Sequence, residues 1–483
     1  MPLRFYNTLS RELEPFEPIR PPHVGLYACG PTVYRPPHVG NFRTFIFNDV
    51  LHRYLEWKGY DVTFVMNLTD VEDKIILAAV GNGGAVSDVT APVIAAFFTD
   101  LSTLGVRRAD VYPRATQHIP EMVALIRALI DRGHAYTTPD GSVYFAIASF
   151  PQYGRLSRIA PEMVRDGAGL ATRAGGIDAD EYDKDDARDF AVWKAAKDVD
   201  HQVGATWPTP WGEGRPGWHI ECSAMSMAVL GQTFDIHTGG EDLIFPHHED
   251  EIAQSEAATG QPFVHYWLHV KHLLVNGEKM SKSKGNDFTI AQLRERGYTP
   301  SAIRYLLLSA QYRNELNFAF DGLDSARASI QRLLDFERRL ADAPTAADAP
   351  LSGMDVLAER ALRDFEAALD DDLNTANALA ALFSFVREAN AELDRDVGNA
   401  TVALEVARRA LHRMDEVLGI LELARAEQAV DDELGAWVEE RIRLRQEARA
   451  RCDFAAADRI RGELASRNIV VEDTPSGPRW KKI

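Results

Sequence analysis

The sequence predicts an α/β protein that begins with a parallel β-sheet and continues into helices. Near the N-terminus an apolar segment, an amphipathic segment and a second apolar segment follow one another, which is the pattern of a strand, a crossover helix and a parallel strand. From about residue 290 onward, apolar residues recur every three to four positions, which indicates helices. The 483 residues are enough for roughly two to four domains.

The strand–helix–strand unit is predicted from three neighbouring segments. The run VGLYA at residues 24–28 reads as a strand ended by Cys29, Gly30 and a proline, and DVTFVM at residues 61–66 reads as the next strand. Between them, FRTFIFNDVLHRYLEWKGY has apolar residues at helical spacing and Gly59 as its stop. These segments predict a doubly wound α/β domain.

The loop before this helix reads His38-Val39-Gly40-Asn41 and lacks the G-x-G-x-x-G pattern of dinucleotide-binding proteins. A helix N-terminus binds phosphate through its free N–H groups, and a glycine lets a base or ribose approach the backbone. On these residues alone, a nucleotide site and an ordinary tight turn both remain open.

Composition limits the class of protein. Hydrophobic residues make up 46% and charged residues 26%, and the net charge of −19 argues against binding nucleic acid with the whole surface. Three cysteines fit a reducing compartment rather than a disulfide framework. The N-terminal residues lack an apolar signal segment, and no apolar run approaches the ~18 residues of a membrane helix. We therefore expect a cytoplasmic protein that does not bind membranes.

Residues 115–215 are predicted to form an insertion without chemistry of its own. A helix is predicted at residues 119–132, and YTTPDGSVYFAI reads as a hairpin with Pro-Asp-Gly at its turn. An acidic run at residues 178–189 reads as a solvated face, and a run rich in tryptophan and proline follows at residues 206–218.

The stretch from 217 to 251 contains side chains that bind metals. Cys222, His247 and Glu251 are good ligand types for Zn²⁺, and Pro246 suits the first position of a helix that would place His247 and Glu251 on one face. Paired C-x-x-C or H-x-x-x-H patterns are missing, so the local pattern leaves a metal site and an ordinary buried cluster open. Cys29 is the natural further thiolate, because the carboxyl ends of parallel strands converge on one crevice.

The sharpest local motif is the run from Gly277 to Asn286, GEKMSKSKGN. Its three lysines stand among serines and between two glycines, which is typical of a flexible cationic loop. Such a loop can clamp a triphosphate and stabilise charge on departing pyrophosphate. A solvated basic loop is the alternative.

The remainder is predicted to be mainly helical, with two breaks. Helical periodicity covers residues 301–318, 329–340, 356–393 and 401–421, and linkers are predicted at residues 341–353 and 422–433. The last segment, 433–483, has eleven basic and nine acidic residues, a helix predicted at 438–467 and a strand at 468–473. This locally basic module could bind single-stranded nucleotides, although a solvated Arg/Glu helix explains it equally well.

Several motifs together resemble one family. His38-Val39-Gly40-Asn41 is similar to the HIGH motif, and Lys279-Met280-Ser281-Lys282-Ser283 matches the KMSKS motif of class I aminoacyl-tRNA synthetases. The segments CGPTVY, NLTDVEDKI, GWHIECSAM, GGEDLIFPHHEDEIAQS and DDLNTANAL resemble the cysteinyl-tRNA synthetases, as does the C-terminal end. The resemblance extends over nearly the whole chain.

The resemblance implies roles for particular residues. It places zinc ligands at Cys29, Cys222, His247 and Glu251, and substrate contacts at Thr32, Trp218 and His237. It places catalytic residues at His38, Asn41, Lys279 and Lys282, and ATP contacts at Gly40, Gly239, Gly240, Asp242 and Lys282. It places anticodon contacts at Arg449, Phe454, Asp458 and Asp473.

The resemblance also implies an architecture and a reaction. It implies a Rossmann-like catalytic domain at 1–114 and 216–290, a connective insertion at 115–215, a stem-contact region at 291–340, a helical bundle at 350–425 and an α+β anticodon-binding module at 433–483. The implied reaction joins L-cysteine to tRNA(Cys) through a cysteinyl-adenylate, with one Zn²⁺ selecting the thiol and Mg²⁺ accompanying ATP. A monomer is expected on family grounds.

Two residues depart from the family's pattern, and two other functions remain open. Asn41 stands where the family motif ends in histidine, and Glu241 puts a carboxylate beside the expected ribose site with no evident reason. A cysteine ligase of the mycothiol pathway resembles the same core but lacks the long C-terminal end. An inactive paralogue that binds RNA is the other alternative.

Overall fold

The computed structural model describes residues 2–159, 189–280, 285–343, 353–395, 401–451, 453–467, 469–474 and 477–482. The chain forms two compact units, residues 1–420 and residues 421–483. The acidic run before residue 189 and most of the predicted linker at 341–353 lie outside the described residues.

The strands of the first unit are β1 (Arg4–Asn7), β2 (Glu12–Pro15), β3 (His23–Ala28), β4 (Asp61–Met66), β5 (Ala135–Thr137), β6 (Val143–Phe145), β7 (Phe190–Ala195), β8 (Trp207–Thr209), β9 (Gly212–Pro216), β10 (Phe234–Gly240), β11 (Val264–Val270), β12 (Leu273–Val275), β13 (Glu278–Lys279) and β14 (Leu316–Phe318). Its helices are α1 (Val39–Trp57), α2 (Asp73–Asn82), α3 (Val86–Thr103), α4 (Ile119–Asp131), α5 (Asp198–Val203), α6 (Trp218–Leu230), α7 (Glu249–Thr259), α8 (Ile290–Glu295), α9 (Pro300–Leu308), α10 (Phe320–Asp342), α11 (Met354–Asp370), α12 (Thr375–Leu393) and α13 (Thr401–Leu418). The second unit contains α14 (Leu421–Ala450), α15 (Phe454–Ala465), β15 (Ile469–Thr474) and β16 (Gly477–Lys482).

The central sheet has the order β11-β10-β3-β4, and its strands are parallel. The predicted strand–helix–strand unit is confirmed, since α1 connects β3 to the adjacent parallel strand β4. The α/β class is confirmed with it. Because the strands are parallel, their carboxyl ends lie at one edge, which brings Cys29, Asn67, Gly240 and Lys271 to the same side of the sheet.

The insertion folds as a separate antiparallel sheet of order β5-β6-β7-β9-β8. The predicted hairpin corresponds to β5 and β6, and the tryptophan- and proline-rich run forms the β8–β9 hairpin. The chain returns to the central sheet through α6 directly after β9.

A buried ion network joins α1 to the helical region. Asp49 on α1 accepts hydrogen bonds from the guanidinium groups of Arg53 and Arg304 and from the backbone N–H of Arg107. Arg304 on α9 also donates to the carbonyl of Leu418 at the end of α13. Although burial alone would raise the pKa of Asp49, Arg304 and Arg53 hold it below its usual value.

Several sequence predictions about the helical region were wrong. The helix predicted over residues 301–318 ends at Leu308, and residues 316–318 form β14, because pairing with β12 buries Leu316 and Phe318. The continuous helix over 356–393 is broken between α11 and α12, where Asp372 and Leu373 have positive φ. The polar gap at 422–433 lies inside α14, since its Glu, Ala, Arg and Leu residues are good helix formers.

The small second unit has its own apolar core. Val438 and Ile442 from α14 pack with Ile460 and Leu464 from α15 and with Ile469 from β15. The predicted helix 438–467 is interrupted before α15, where the Asp453 side chain accepts from the N–H of Ala456 as an N-cap.

Candidate functional site

Four predicted ligand side chains meet beneath the carboxyl edge of the central sheet. Cys29 follows β3, Cys222 lies on α6, and His247 and Glu251 lie where α7 begins. The two Sγ atoms are 3.8 Å apart, and His247 Nε2 lies 3.0 Å from Glu251 Oε1. The potential ligand atoms of the four residues all lie within 4.8 Å of one another. The structure thus brings together residues that are more than 200 positions apart in the chain.

The start of α7 orients two of these side chains. Phe245 has an extended backbone, with φ −140° and ψ 133°, and helical backbone resumes after it. The expectation that Pro246 stands at a helix start agrees with this break, although the regular α7 helix begins only at Glu249. Trp218, the first residue of α6, stacks on His247 at a ring distance of 4.2 Å and so forms one wall of the cluster.

The electrostatics ionise two of the four groups at neutral pH, Cys222 and Glu251. Contact with Cys29 and the neighbouring His247 lower the pKa of the Cys222 thiol to about 6, against the opposing effect of burial. Burial would raise the pKa of Glu251, but His237 and His247 lower it to about 2. A thiolate and a carboxylate are the protonation states that a metal ion requires. Burial and the Cys222 thiol raise the pKa of Cys29, and although burial would lower the pKa of His247, Glu251 and Cys222 raise it to about 10. A bound metal would therefore displace a proton from Cys29 and from His247.

A second, overlapping group consists of Cys29, His237, His248 and Glu251. In this group His237 Nε2 is already 2.9 Å from Glu251 Oε2, and His248 Nδ1 is 2.8 Å from His269 Nε2. We therefore assign His237 the role of holding Oε2 of Glu251, which leaves Oε1 facing Cys29 and His247. His237 is fully buried and stacks on Trp267, and its predicted contact with the substrate stays a prediction.

The donor set and spacing of the first group fit zinc. Zn–S bonds are about 2.3 Å, and a tetrahedral site with such bonds places two sulfurs about 3.8 Å apart. The distance between the sulfurs of Cys29 and Cys222 equals this value. Two sulfurs, one imidazole and one carboxylate make a four-ligand set for a borderline-soft ion.

Sequence reasoning missed the histidines that surround this cluster. His219 Nδ1 lies 2.9 Å from Nδ1 of His247, and Nε2 of His219 lies 3.4 Å from Asp250. On the other side, His248 contacts His269, which in turn contacts Thr8 Oγ1 at 2.8 Å. The motif letters HIEC and HHE were a signal for His219 and His248. His269 is near because β11 lies beside β10, and Thr8 is near because its backbone N–H donates to the carbonyl of Trp267 on β11.

The predicted nucleotide residues at the N-terminus of α1 lie beside the lysine loop, the run of residues 277–286. Asn41 Oδ1 accepts from the backbone N–H of His38 at 3.1 Å, so Asn41 caps the helix. The backbone N–H of Val39 donates to the carbonyl of Phe288, and Met280 packs against Gly40. Residues on either side of 281–284 therefore adjoin the start of α1, although Lys282 lies outside the described residues, as does the side chain of Lys279.

Gly239, Gly240 and Asp242 stand at the carboxyl end of β10, and Thr32 is bridged to Thr69 nearby. A Cβ on Gly239 would lie 2.6 Å from the His248 ring, and one on Gly240 would lie 2.4 Å from Oδ1 of Asp242. Packing therefore favours glycine at 239, beside the buried His248 ring, whereas the exposed Asp242 side chain can move away from a Cβ at position 240.

The structure provides a physical account of Glu241. Its Oε1 accepts from the backbone N–H of His272 at 3.0 Å, and its Oε2 lies 2.7 Å from Lys271 Nζ. Glu241 therefore links the end of β10 to the segment after β11, and this contact explains the carboxylate beside the predicted ribose site.

The predicted anticodon residues lie in the second unit. Phe454 is 64% exposed at the start of α15, and Asp458 lies one turn later on the same face and is also exposed. Arg449 is exposed in the last turn of α14. Asp473 lies on β15, and its side chain is outside the described residues.

A close backbone approach at Gly30 permits a test of the site's framework. A Cβ on Gly30 would lie 1.7 Å from the carbonyl oxygen of Asn67, so Gly30→Ala must separate β3 from β4 beside Cys29. We expect this substitution to lower the unfolding free energy by about 1–3 kcal/mol, measured by urea denaturation of the first unfolding transition.

The matched control is Gly81→Ala on α2, where no atom lies within 4 Å of the added Cβ. This helical substitution should raise stability by about 0.5–1 kcal/mol. Equal changes in the two variants would show that the contact at Gly30 has no special cost.

Comparisons with known proteins decide the family. A family model described as the class I (C) tRNA synthetase catalytic domain matches residues 15–328, a DALR domain model matches residues 364–422, and a cysteinyl-tRNA ligase anticodon binding domain model matches residues 431–480. A cysteine–tRNA ligase of Chlamydia muridarum is 46% identical over 490 residues, with all of both chains covered. This chain belongs to the class I cysteinyl-tRNA synthetase family.

Further relatives span the same length. A cysteine–tRNA ligase of Solibacter usitatus is 47% identical over 489 residues, again with full coverage of both chains. Among solved structures, Mycobacterium tuberculosis methionyl-tRNA synthetase in complex with methionyl-adenylate is similar, with a TM-score of 0.59, 17% identity, and coverage of 83% of this chain and 90% of that one. This likeness confirms the fold of a class I synthetase.

Within the described residues no single helix is both long and apolar enough to cross a membrane, and the pair Asp73–Asn82 and Val86–Thr103, bent by 110°, meets the criterion only when the two are counted together.

Proposed function

We propose that this member of the cysteinyl-tRNA synthetase family joins L-cysteine to tRNA(Cys) at the expense of ATP. The observation that carries the proposal is the cluster of Cys29, Cys222, His247 and Glu251 on the same sheet edge as the N-terminus of α1 and the lysine loop. A thiol-selecting site and a phosphate-binding site side by side suit activation of cysteine.

The cluster would select the substrate by its side chain. A zinc ion held by these four residues would supply a Lewis acid that favours a thiol, as thiolate, over the hydroxyl of serine. His237 holds Glu251 in place through Oε2, and the indole of Trp218 bounds the space beside His247. A site built around one functional group discriminates strongly without a second, editing site.

The nucleotide residues would then act on the phosphates. The N-terminus of α1, with His38 at its start, and the lysines Lys279 and Lys282 would bind the triphosphate together with Mg²⁺. The carboxylate of cysteine attacks the α-phosphorus of ATP, the bond to the β-phosphate breaks, and pyrophosphate leaves. Gly40, Gly239, Gly240 and Asp242 would contact the adenosine, and Thr32 would contact the amino acid. Positioning and charge stabilisation suffice, so no side chain needs to act as a nucleophile.

In the second step a hydroxyl of the terminal adenosine of the tRNA attacks the carbonyl of cysteinyl-adenylate, and AMP leaves. The second unit would bind the anticodon. Arg449 is suited to hydrogen-bond a base and Phe454 to stack on one, with Asp458 and Asp473 as further contacts. We propose a cytoplasmic monomer.

Two assays test this function. Cysteine-dependent exchange of pyrophosphate into ATP should occur with purified protein, and charging of tRNA(Cys) should follow when the tRNA is added. Exchange without charging would favour ligation to an amino sugar, which the matched anticodon-binding region argues against. Failure of both reactions would favour the inactive RNA-binding alternative.

The protonation of His38 provides a pH prediction. Burial, with a contribution from Arg35, lowers its pKa below 6.5, so the imidazole is neutral at pH 7. If neutral His38 contacts ATP, kcat/KM for ATP should stay level from pH 8 down to pH 7 and fall only below pH 6.5 as the ring becomes protonated, because kcat/KM reports the free enzyme. The acidic fall should vanish in His38→Asn and persist in His23→Asn, an exposed histidine elsewhere. Persistence in both variants would assign the fall to another group.

A further inference from the structure

Glu221 is a buried carboxyl group beside the predicted cysteine site. It lies on α6 directly before Cys222 and three residues after Trp218, and it is 1% exposed. Among the residues that the structure describes, neither Oε1 nor Oε2 has a partner in good hydrogen-bond geometry, and the nearby hydroxyl of Thr69 does not offset the burial of the carboxyl group. Burying a carboxyl group without a hydrogen-bond partner is energetically unfavourable, as it is for other buried polar groups.

Other carboxyl groups in the same layer are well partnered. Glu249 accepts hydrogen bonds from the backbone N–H groups of Gly154, Leu156 and Ser157. Asp250 accepts from the hydroxyl of Tyr153. Glu221 is therefore an exception within a layer where buried acids are otherwise satisfied, and such an exception needs a partner from outside the chain.

The surroundings of Glu221 favour a cation as that partner. The neighbouring groups that act on it electrostatically are acidic, namely Cys222, Asp70 and Glu72. Asp70 is already occupied, since it accepts from both the N–H and the hydroxyl of Thr116. Thr69, at the carboxyl end of β4, is a polar neighbour whose hydroxyl also accepts from Asn67. A positively charged donor would satisfy Glu221 and offset this concentration of acidic groups.

We propose that Glu221 receives the α-ammonium group of the substrate cysteine. In cysteine only two carbons separate the ammonium nitrogen from the sulfur. The Cys222 thiol lies close enough to Glu221 to act on it electrostatically, so a substrate whose sulfur lies beside Cys222 carries its ammonium group into the neighbourhood of Glu221. Glu221 and the thiol site would then recognise the two ends of the same molecule. This inference rests on the proposed function, because it assumes cysteine as the substrate.

The test compares thiols that have or lack an ammonium group. Binding of L-cysteine, cysteamine and 3-mercaptopropionate to zinc-loaded protein is measured by calorimetry for the wild type and for Glu221→Gln. We expect the variant to bind L-cysteine and cysteamine roughly ten- to a hundredfold more weakly, since a charge-assisted hydrogen bond is lost. Binding of 3-mercaptopropionate, which has no ammonium group, should be unchanged or tighter.

The matched control is Glu72→Gln, which removes a nearby negative charge at the N-terminus of α2. Glu72 caps α2 by accepting from the N–H of Lys74, and its substitution should change each affinity by no more than about twofold. Zinc content of Glu221→Gln should equal that of the wild type.

The outcomes separate this inference from the proposed function. An equal loss for all three thiols in Glu221→Gln would indicate a purely structural role, and no loss for any of them would indicate no role, so either result would overturn the inference. Both results would leave cysteine activation by the wild type intact. Wild-type protein that binds none of the three thiols would instead overturn the proposed function, and the inference with it.

Discussion

Replacing Cys222 with serine is expected to abolish both zinc binding and cysteine activation. The Sγ atom of Cys222 lies 3.8 Å from that of Cys29, and the pKa of its thiol is lowered to about 6, so it is ready to ligate as a thiolate. A serine hydroxyl stays protonated and is a poor ligand for a borderline-soft ion. Zinc per chain, measured after dialysis by atomic absorption, should fall from about one to near zero. Cysteine-dependent exchange should fall by more than about a hundredfold.

Cys452→Ser is the matched control, because it makes the same chemical change in the second unit. Its zinc content and exchange rate should equal those of the wild type. Unchanged zinc content in Cys222→Ser would contradict the ligand assignment. If Cys222→Ser lost exchange but kept its zinc, Cys222 would contact the substrate and not the metal.

Asp49→Asn should cause the largest loss of stability. The Asp49 carboxylate is 1% exposed and faces the guanidinium groups of Arg53 and Arg304, of which Arg304 is fully buried. Neutralising it leaves two buried positive charges without their counterion, which costs about 3–5 kcal/mol. The loss should appear as a lower urea midpoint of the first unfolding transition, followed by tryptophan fluorescence.

The ion pairs of Asp49 with Arg53 and Arg304 also predict how stability depends on pH. The pKa of Asp49 is below its usual value in the folded protein, so the stability it contributes is fully present above the unfolded pKa and is lost as the pH falls through the folded pKa. The midpoint difference between the wild type and Asp49→Asn should therefore be constant at neutral pH and shrink only in acid.

Glu56→Gln is the control for Asp49→Asn. Glu56 on the same helix pairs with Arg107 at 2.8 Å, and both side chains are 43% exposed. Exposed ion pairs contribute little to stability, so the unfolding free energy of this variant should fall by no more than about 1 kcal/mol. Equal losses in the two variants would mean that burial does not determine the strength of the Asp49 network.

The local sequence pattern alone was sufficient to predict the N-terminal strand–helix–strand unit. The apolar runs at 24–28 and 61–66 and the helical segment between them occupy the predicted elements, because each has one dominant periodicity and clear turn residues at its ends. The same approach failed at residues 316–318. Leu316 stands four residues after Tyr312, which is a helical spacing, and two residues before Phe318, which is a strand spacing, and pairing with β12 decided between them.

The candidate site was likewise predictable from the sequence only in part. Motif resemblance was enough to name Cys29, Cys222, His247 and Glu251, and the structure places these four in one cluster. The position of Glu241 against His272 and Lys271, the chain from His248 through His269 to Thr8, and the unpartnered carboxyl of Glu221 were not predictable from the sequence.

The sequence by itself determined the α/β class, the motifs and the family resemblance, because these depend on local periodicity and on residue types at short spacing. Only the tertiary structure decided which strands are neighbours, and therefore which side chains meet at the carboxyl edge of the sheet. The physical reason is that β3, β4, β10 and β11 are brought together by parallel pairing across long stretches of chain. The partners of a buried polar group, or the lack of one as at Glu221, are set by that pairing rather than by the residues next to it in sequence.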